Sequence, residues 1–198
     1  MRIRSRRRPQ SAGAAFFISG EGWLIDALEI AEDAVLVGFV LTVIWTDWRF
    51  RRIPNVATYP AMLVGILFGL AESFAGPAGF PGGPLAGGLL DHLAGLVVGF
   101  LVSYPFYAAG GLKAGDGKLL MAVGALKGTA FLLQAAVWGA LTGGIIAIVF
   151  IVLRRLSRPA PGDPPNTMHA LMKTWIPYGV ALGLGALIAL VFQLRPIS

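Results

Sequence analysis

Residues 113–118 read KAGDGK and place Asp116 between two glycines, at the junction of two strongly apolar segments. A carboxylate at or near hydrocarbon depth is costly, so such a residue usually faces a bundle interior or a water-filled cavity and marks a functional site. Considered alone, Asp116 also suits the N-cap of a helix that starts near Lys118. The partner of this carboxylate therefore decides between a structural and a chemical role.

The composition around this stretch is that of a membrane protein. The 198 residues are 56% hydrophobic and 13% charged, whereas soluble domains carry about 25% charged residues. The net charge of +6 comes from short basic clusters between apolar runs, as the positive-inside rule requires, so we expect no nucleic-acid partner. The chain has no cysteine and two histidines, which excludes disulfides and cysteine chemistry and argues against a zinc site.

The chain begins with a basic segment and then enters its first long helix. Residues 1–21, which include MRIRSRRR, are expected to form a basic arm that is either disordered or lies on the membrane surface. Residues 22–198 are expected to form a single polytopic membrane domain. Its first helix starts at Gly22, is uniformly apolar over residues 34–45 and ends before Pro54, which cannot continue a helix.

Apolar runs and basic loops predict an all-α integral membrane protein, a bundle of about six transmembrane helices with one of them short. The apolar runs that follow the first helix cover residues 56–75, 85–109, 118–153 and 175–194. The run over residues 118–153 begins and ends beside basic residues, so it must cross twice or form a re-entrant hairpin. Because a full span needs about 20 residues, we expect a short helix over residues 118 to about 125 and a longer one over about 129–153.

Two aspartates lie where apolar helices meet the basic cytoplasmic loops. Asp47 follows the first apolar run and Asp116 precedes the fourth, so the topology puts both at the same depth on the same face. Two carboxylates held close in a partly dehydrated site share a proton; the ionised one can take a proton from water while the protonated one polarises a carbonyl. Considered singly, Asp47 would pair with Arg49 or Arg51 at a helix end, so spacing alone decides nothing.

Three short motifs occur in order along the chain. Asp47 and Arg49 precede IPN at residues 53–55, AGDGKLL occupies residues 114–120, and IPYG occupies residues 176–179. Together these motifs resemble the type IV prepilin peptidase family of membrane aspartic proteases, and most of all its short members that serve Flp/Tad-type pili. The resemblance extends from about residue 34 to residue 194.

The resemblance implies a catalytic role for both aspartates. Asp47 matches the first catalytic aspartate of the family and Asp116 the aspartate of its Gly-x-Gly-Asp motif, so the pair is expected to activate water against the peptide bond after a prepilin leader. Gly115 matches the glycine before that aspartate and would let backbone approach the substrate or the opposite carboxylate. Lys113 departs from the family, because it occupies the position of the first glycine; we interpret its ammonium as facing lipid headgroups rather than stabilising the charged form of Asp116.

The resemblance further implies a prepilin leader peptidase in the bacterial inner membrane with its active site facing the cytoplasm. Its partners would be pilin-like precursors, the lipid bilayer and pilus assembly proteins. Longer family members carry an N-terminal domain with paired cysteines, associated with N-methylation; since this chain has no cysteine, we expect peptidase activity without methyltransferase activity and without cofactor, zinc or S-adenosylmethionine. The alternative is a non-enzymatic transporter or pilus-assembly scaffold in which the aspartates bind a cation or pair with arginines.

Four further polar residues remain. Asp91 and His92 fall near the outer end of the third helix, where a solvated or interfacial position is expected rather than a proton relay. His169 lies in a proline-rich loop with no partner at ligand spacing. Lys118, which closely follows Asp116, either orients the site or contacts lipid phosphate.

Overall fold

The computed structural model describes residues 22–75, 88–156 and 178–194, and these residues form α-helices without a β-strand. In chain order the helices are α1 (Gly22–Phe50), α2 (Asn55–Ala75), α3 (Leu89–Ala108), α4 (Ala114–Leu156) and α5 (Tyr178–Leu194). The all-α prediction is therefore confirmed. The predicted basic arm (residues 1–21), His169 and the first two residues of the IPYG motif lie outside the described residues.

The longest helix, α4, reverses direction at Gly128. This glycine has φ 76° and ψ −176°, a left-handed φ that glycine adopts without steric cost. Leu112 and Ala147 line the same cavity although they are 35 positions apart, so the chain folds back into two segments, α4a (residues 114–127) and α4b (residues 129–156). The predicted break is confirmed, whereas the predicted start at Lys118 is wrong, because α4a begins at Ala114.

Glycines let these segments pack with their backbones in contact. A Cβ placed on Gly95 of α3 would clash with the main chain of Gly124 in α4a, and one on Gly185 of α5 would clash with the main chain of Gly139 in α4b. Gly144, by contrast, has nothing within 4 Å of the position of a Cβ. Close backbone approach through small residues is typical of helix packing in membranes, so the hairpin of α4 is the element that α3 and α5 enclose.

The outward surface of the bundle is apolar. Large hydrophobic side chains are exposed along the helices, among them Leu63, Leu67, Leu101, Ile145 and Ile148. Within the described residues, α2, α3 and α4 are long and apolar enough to cross a membrane. A surface of this kind is expected where lipid replaces water, and it indicates a membrane protein. The count of about six transmembrane helices stays a prediction.

Polar side chains gather at two opposite ends of the bundle. Asp47 near the end of α1 meets the N-terminal ends of α4a and α5 at one of them. Glu32 lies 15 positions before Asp47 on α1, which corresponds to about 22 Å along the helix. At that opposite end Glu32 meets Glu72 of α2 and His92 of α3. The bundle thus separates two buried polar sites by most of its length.

Candidate active site

Asp47 lies in the last turn of α1, and its carboxylate is held by the first residues of α5. The residue is nearly fully buried, with 5% of its surface exposed. The Val180 N–H donates to Asp47 Oδ2 at 3.2 Å, and the Gly179 N–H also donates to the carboxylate. Unsatisfied N–H groups at a helix N-terminus favour a negative charge, so the start of α5 positions and stabilises the ionised form of Asp47.

The turn after α1 fixes the main chain of Asp47. Arg51 has a positive φ of 56°, and its N–H donates to the Asp47 carbonyl oxygen at 2.9 Å. This hydrogen bond closes a helix C-terminus through a residue in the left-handed region. Because the turn sends the chain back across the end of α1, Ile53 reaches the same part of α5 that contacts Asp47.

Asp116 lies in the first turn of α4a and forms a reciprocal cap with Lys113. The Lys113 N–H donates to Asp116 Oδ2 at 2.9 Å, and the Asp116 N–H donates to the Lys113 carbonyl oxygen at 3.0 Å. This is the side-chain half of a capping box, in which the third helical residue satisfies the N-cap amide. The sequence interpretation of Asp116 as an N-cap is therefore wrong in its register, although the side chain, 4% exposed, does cap the helix.

Ile53 packs between the two helix ends that carry the site. A Cβ on Gly115 would lie 3.2 Å from Ile53 Cβ, and a Cβ on Gly179 would lie 3.0 Å from Ile53 Cδ1 and 2.7 Å from Asp47 Oδ2. Gly115 therefore admits Ile53 rather than the opposite carboxylate. The motif residues Ile53, Gly115 and Gly179 act together, because one side chain fills the space that two missing side chains leave.

The two carboxylates are within range of each other's charge, and the Lys113 ammonium acts on both. Burial raises the pKa of the Asp47 carboxyl above its ordinary value, although the hydrogen bonds from Val180 and Gly179 act in the opposite direction. Lys113 is exposed, and its charge favours the ionised form of both aspartates. Its expected contact with lipid headgroups stays a prediction. The negative charge of Asp47 disfavours ionisation of Asp116, which is the direction of interaction expected for two carboxyls in one site.

A lysine at position 113 is compatible with the backbone of this turn. Among the described residues, the positive-φ positions are Arg51, Gly88, Gly110 and Gly128, so Lys113 does not adopt the left-handed conformation that favours glycine. Gly110, with φ 76°, provides that conformation three residues earlier. The missing first glycine of the motif therefore costs the turn no backbone strain.

Lys118 connects α4a to the start of α2. Its Nζ donates to Asn55 Oδ1 at 2.8 Å and lies 5.1 Å from the centre of the Tyr59 ring, within the range of a cation–π contact. The ammonium of Lys118 therefore contacts protein groups of α2, and its role in orienting the site stays a prediction. Asn55 belongs to the same IPN motif as Ile53, so this motif contacts the Asp116 helix twice.

Asp91 and His92 lie at the other end of the bundle; Asp91 is partly exposed, whereas His92 is buried, contrary to the expectation of a solvated position. His92 is 3% exposed, and Asp91 Oδ1 accepts the Thr129 N–H at 3.1 Å. Asp91 thus caps α4b directly after the break at Gly128. The sequence signal for burial was available, because an ionisable residue within an apolar helix usually faces the bundle interior.

The model of the type IV leader peptidase family matches residues 34–148, a range that contains both aspartates and the IPN and AGDGKLL motifs. The chain belongs to the type IV leader peptidase family. The expected resemblance is thereby confirmed at the level of the family.

This member of the leader peptidase family is similar to two curated bacterial proteins of the same name. The chain is 28% identical over 153 residues to a prepilin leader peptidase/N-methyltransferase of Dickeya chrysanthemi, an alignment that covers 76% of this chain and 51% of the relative. It is 27% identical over 150 residues to a protein of the same name from Pectobacterium carotovorum subsp. carotovorum, covering 74% and 50%. The chain thus spans about half the length of these relatives, and no solved structure matches it significantly.

Proposed function

We propose that the protein is a prepilin leader peptidase, an aspartic endopeptidase in which Asp47 and Asp116 activate water. The observation that carries this proposal is the pair itself: two buried carboxylates, contributed by different helices, interact electrostatically at one end of a membrane bundle. Their location inside the range matched by the leader peptidase family supports the same function.

The chemistry needs one proton on the pair. The ionised aspartate takes a proton from water as the water oxygen attacks the scissile carbonyl carbon, while the protonated aspartate donates to the carbonyl oxygen. The tetrahedral intermediate then loses its C–N bond, and the leaving nitrogen takes a proton from the pair. Because both fully ionised and fully protonated pairs lack one of these functions, cleavage should pass through a maximum with pH.

The substrate in this proposal is a pilin-like precursor of the Flp/Tad type, cleaved between a basic leader and an apolar helix at the cytoplasmic face of the inner membrane. An apolar cavity of about 340 Å³ lies between α3, both segments of α4 and α5, with Leu112 and Tyr178 in its lining. Tyr178 directly precedes Gly179, which contacts Asp47. A cavity of that character supports the binding of an apolar segment next to the aspartates. We propose no methyltransferase activity for this chain.

Co-expression with a pilin-like precursor tests the proposal. Asp47→Asn and Asp116→Asn should each lower leader cleavage by at least about 10³-fold, as the loss of a catalytic carboxylate does in other proteases. Asp26→Asn removes an exposed carboxylate of α1 and should leave cleavage unchanged. Normal cleavage by both site variants would overturn the two-aspartate mechanism, and absence of cleavage by the wild type across a panel of precursors would favour a non-enzymatic pilus-assembly scaffold or transporter.

A further inference from the structure

Three helices contribute one potential ligand each to a second buried site. Glu32 of α1, Glu72 of α2 and His92 of α3 place one ligand atom apiece within 4.8 Å of one another. His92 Nε2 lies 3.4 Å from Glu72 Oε2 and 3.9 Å from Glu32 Oε1. We call these three residues the glutamate–histidine cluster. It lies at the end of the bundle opposite the aspartates, so the proposed cleavage chemistry does not use it.

The hydrogen bond of His92 Nδ1 determines the protonation of the other ring nitrogen, Nε2, which faces the two carboxylates. His92 Nδ1 lies 2.8 Å from the carbonyl oxygen of Ala125, which can only accept, so Nδ1 carries the hydrogen. In the neutral ring, Nε2 then points a lone pair at two carboxylate oxygens. Histidines that bind metals typically donate their other ring N–H to a backbone carbonyl in this way.

The carboxylates of the cluster include an oxygen without a partner. Glu32 is 3% exposed, and its Oε1, the atom nearest to His92 Nε2, is buried without a hydrogen-bond partner. Glu72 Oε2, by contrast, accepts the Gly88 N–H at 3.1 Å, which orients it as outer hydrogen bonds orient metal ligands. A buried, unsatisfied carboxylate oxygen is expensive, and it is aimed at the space between the three side chains.

Charge balance points to a divalent ion. Among the described residues, Glu32, Asp33 and Glu72 are the carboxylates within 4 Å of the His92 ring nitrogen or of the Lys127 ammonium. Lys127 Nζ lies 2.9 Å from Asp33 Oδ1 and 3.4 Å from Glu32 Oε2. Three carboxylates and one ammonium leave two negative charges uncompensated when His92 is neutral. Buried charge in a membrane protein is retained only where it is paired.

We propose that Glu32, Glu72 and His92 bind a divalent first-row transition-metal ion, such as Zn²⁺ or Mn²⁺. One imidazole nitrogen and two carboxylate oxygens form a donor set suited to such ions. Two ligands about 2.1 Å from a tetrahedral ion are about 3.4 Å apart, which is the separation of His92 Nε2 and Glu72 Oε2. Water would supply a fourth ligand, and the ion would join α1, α2 and α3 at a point where α4a contributes the Ala125 carbonyl.

This proposal differs from the expectation of no metal, which follows from the two histidines of the chain and from the family resemblance and takes no account of buried glutamates. The alternative to a bound metal is protonation: two protons on the carboxylates would neutralise the same charges. The two cases predict different changes in thermal stability when Zn²⁺ is added and when a glutamate of the cluster is replaced by neutral glutamine. Measurements of thermal stability therefore distinguish them.

The first measurement uses the full chain without a polyhistidine tag, purified in detergent and depleted of metal with a chelator. Addition of Zn²⁺ or Mn²⁺ should raise the thermal unfolding temperature, and elemental analysis after dialysis should find about one metal ion per chain. Mg²⁺ should have a weaker effect, since imidazole is a poor ligand for it. Unchanged unfolding temperature and no retained Zn²⁺ or Mn²⁺ would overturn the proposal without recourse to a variant.

The second measurement compares Glu72→Gln with Glu29→Gln, which makes the same chemical change at an exposed position of α1. Glu72→Gln should weaken metal affinity by about 10- to 100-fold or more, the loss typical of disturbed metal shells, whereas Glu29→Gln should bind as the wild type does. Suppose that added metal does not change the unfolding temperature of the wild type and that Glu72→Gln is more stable than the metal-free wild type. This result would show that the carboxylates of the cluster are neutralised by protons. His92→Gln provides a second ligand variant if Glu72→Gln fails to fold.

Discussion

At one end of the bundle, Asp47 and Asp116 each accept a main-chain N–H from the start of a helix, Val180 and Lys113 respectively. At the other end, Glu32 and its neighbours face the side chains of His92 and Lys127. Main-chain donors cannot leave or change rotamer, so they hold the two aspartate carboxyls in place. Side-chain donors can be removed singly, which makes the second site sensitive to composition and the first sensitive to backbone position.

Removal of the Lys127 ammonium should have the largest effect, a loss of stability at the end of the bundle that contains Glu32. Its ammonium is 6% exposed and contacts both Glu32 and Asp33, so Lys127→Met leaves the buried Glu32 and the partly buried Asp33 without their cation. We expect a loss of about 3–5 kcal/mol in the free energy of unfolding, the cost of breaking a buried ion pair, measured as a lower unfolding temperature in metal-free protein. As control, Lys118→Met removes an exposed hydrogen bond to a neutral amide and should cost about 1 kcal/mol or less; equal losses would contradict the comparison.

A methyl group at Gly179 should damage the aspartate site without changing any polar group. The added Cβ would lie 2.7 Å from Asp47 Oδ2, so the start of α5 must move away from the carboxylate. We expect Gly179→Ala to lower cleavage by about 10²-fold, the cost of a misplacement of about 1 Å, with little change in unfolding temperature. The matched change Gly38→Ala, at an exposed position of α1, meets nothing within 4 Å and should leave cleavage unchanged.

Shortening the Ile53 side chain should lower cleavage less than Gly179→Ala does. Ile53→Ala removes the side chain that packs against Gly115 and Gly179, so the two helix ends lose their common spacer without a new clash. We expect about 10-fold slower cleavage, less than the cost of a forced displacement. Ile53→Val retains most of the contact and should come close to the wild-type rate; a full effect of the valine variant would show that Ile53 acts other than by filling space.

The charge of Lys113 should have the smallest effect. Its positive charge favours the ionised form of both aspartates, so Lys113→Met should move the acid limb of the pH–cleavage profile to higher pH. Because Lys113 is exposed, water screens the interaction and the displacement should correspond to about 1 kcal/mol or less. Lys113→Arg keeps the charge and should keep the profile, whereas identical profiles for all three proteins would show that the charge meets only lipid.

Hydropathy and charge were sufficient to predict an all-helical chain and the break near Gly128, because each depends on local composition or on alternation across a membrane. The pairing of Asp47 with Asp116 as one catalytic site stays a prediction. The predicted start of α4a was wrong because lysine is an unusual N-cap residue, whereas the aspartate three residues later is of a type that N-caps prefer. The contact of Ile53 with Gly115 and Gly179 could not be predicted from spacing, because it joins three distant segments.

The glutamate–histidine cluster was missed for a different reason. Its members are separated by 20 to 60 positions, and no local pattern reports which of them meet. The available signal was the cost of each buried charge, which predicts that partners exist without naming them. The location of His92 near the end of its apolar run predicts contact with solvent, whereas the neighbouring helices bury its side chain.

The reversal at Gly128 has a consequence for the bilayer itself. α4a contains 14 residues and is about 21 Å long, which is about 9 Å less than the hydrocarbon core of a typical membrane. Such hydrophobic mismatch is relieved where neighbouring helices shield the short segment or where the lipid layer thins around it. Since α3 and α5 flank this hairpin and most of α4a is buried, neighbouring helices rather than lipid surround much of the short segment and supply part of this shielding.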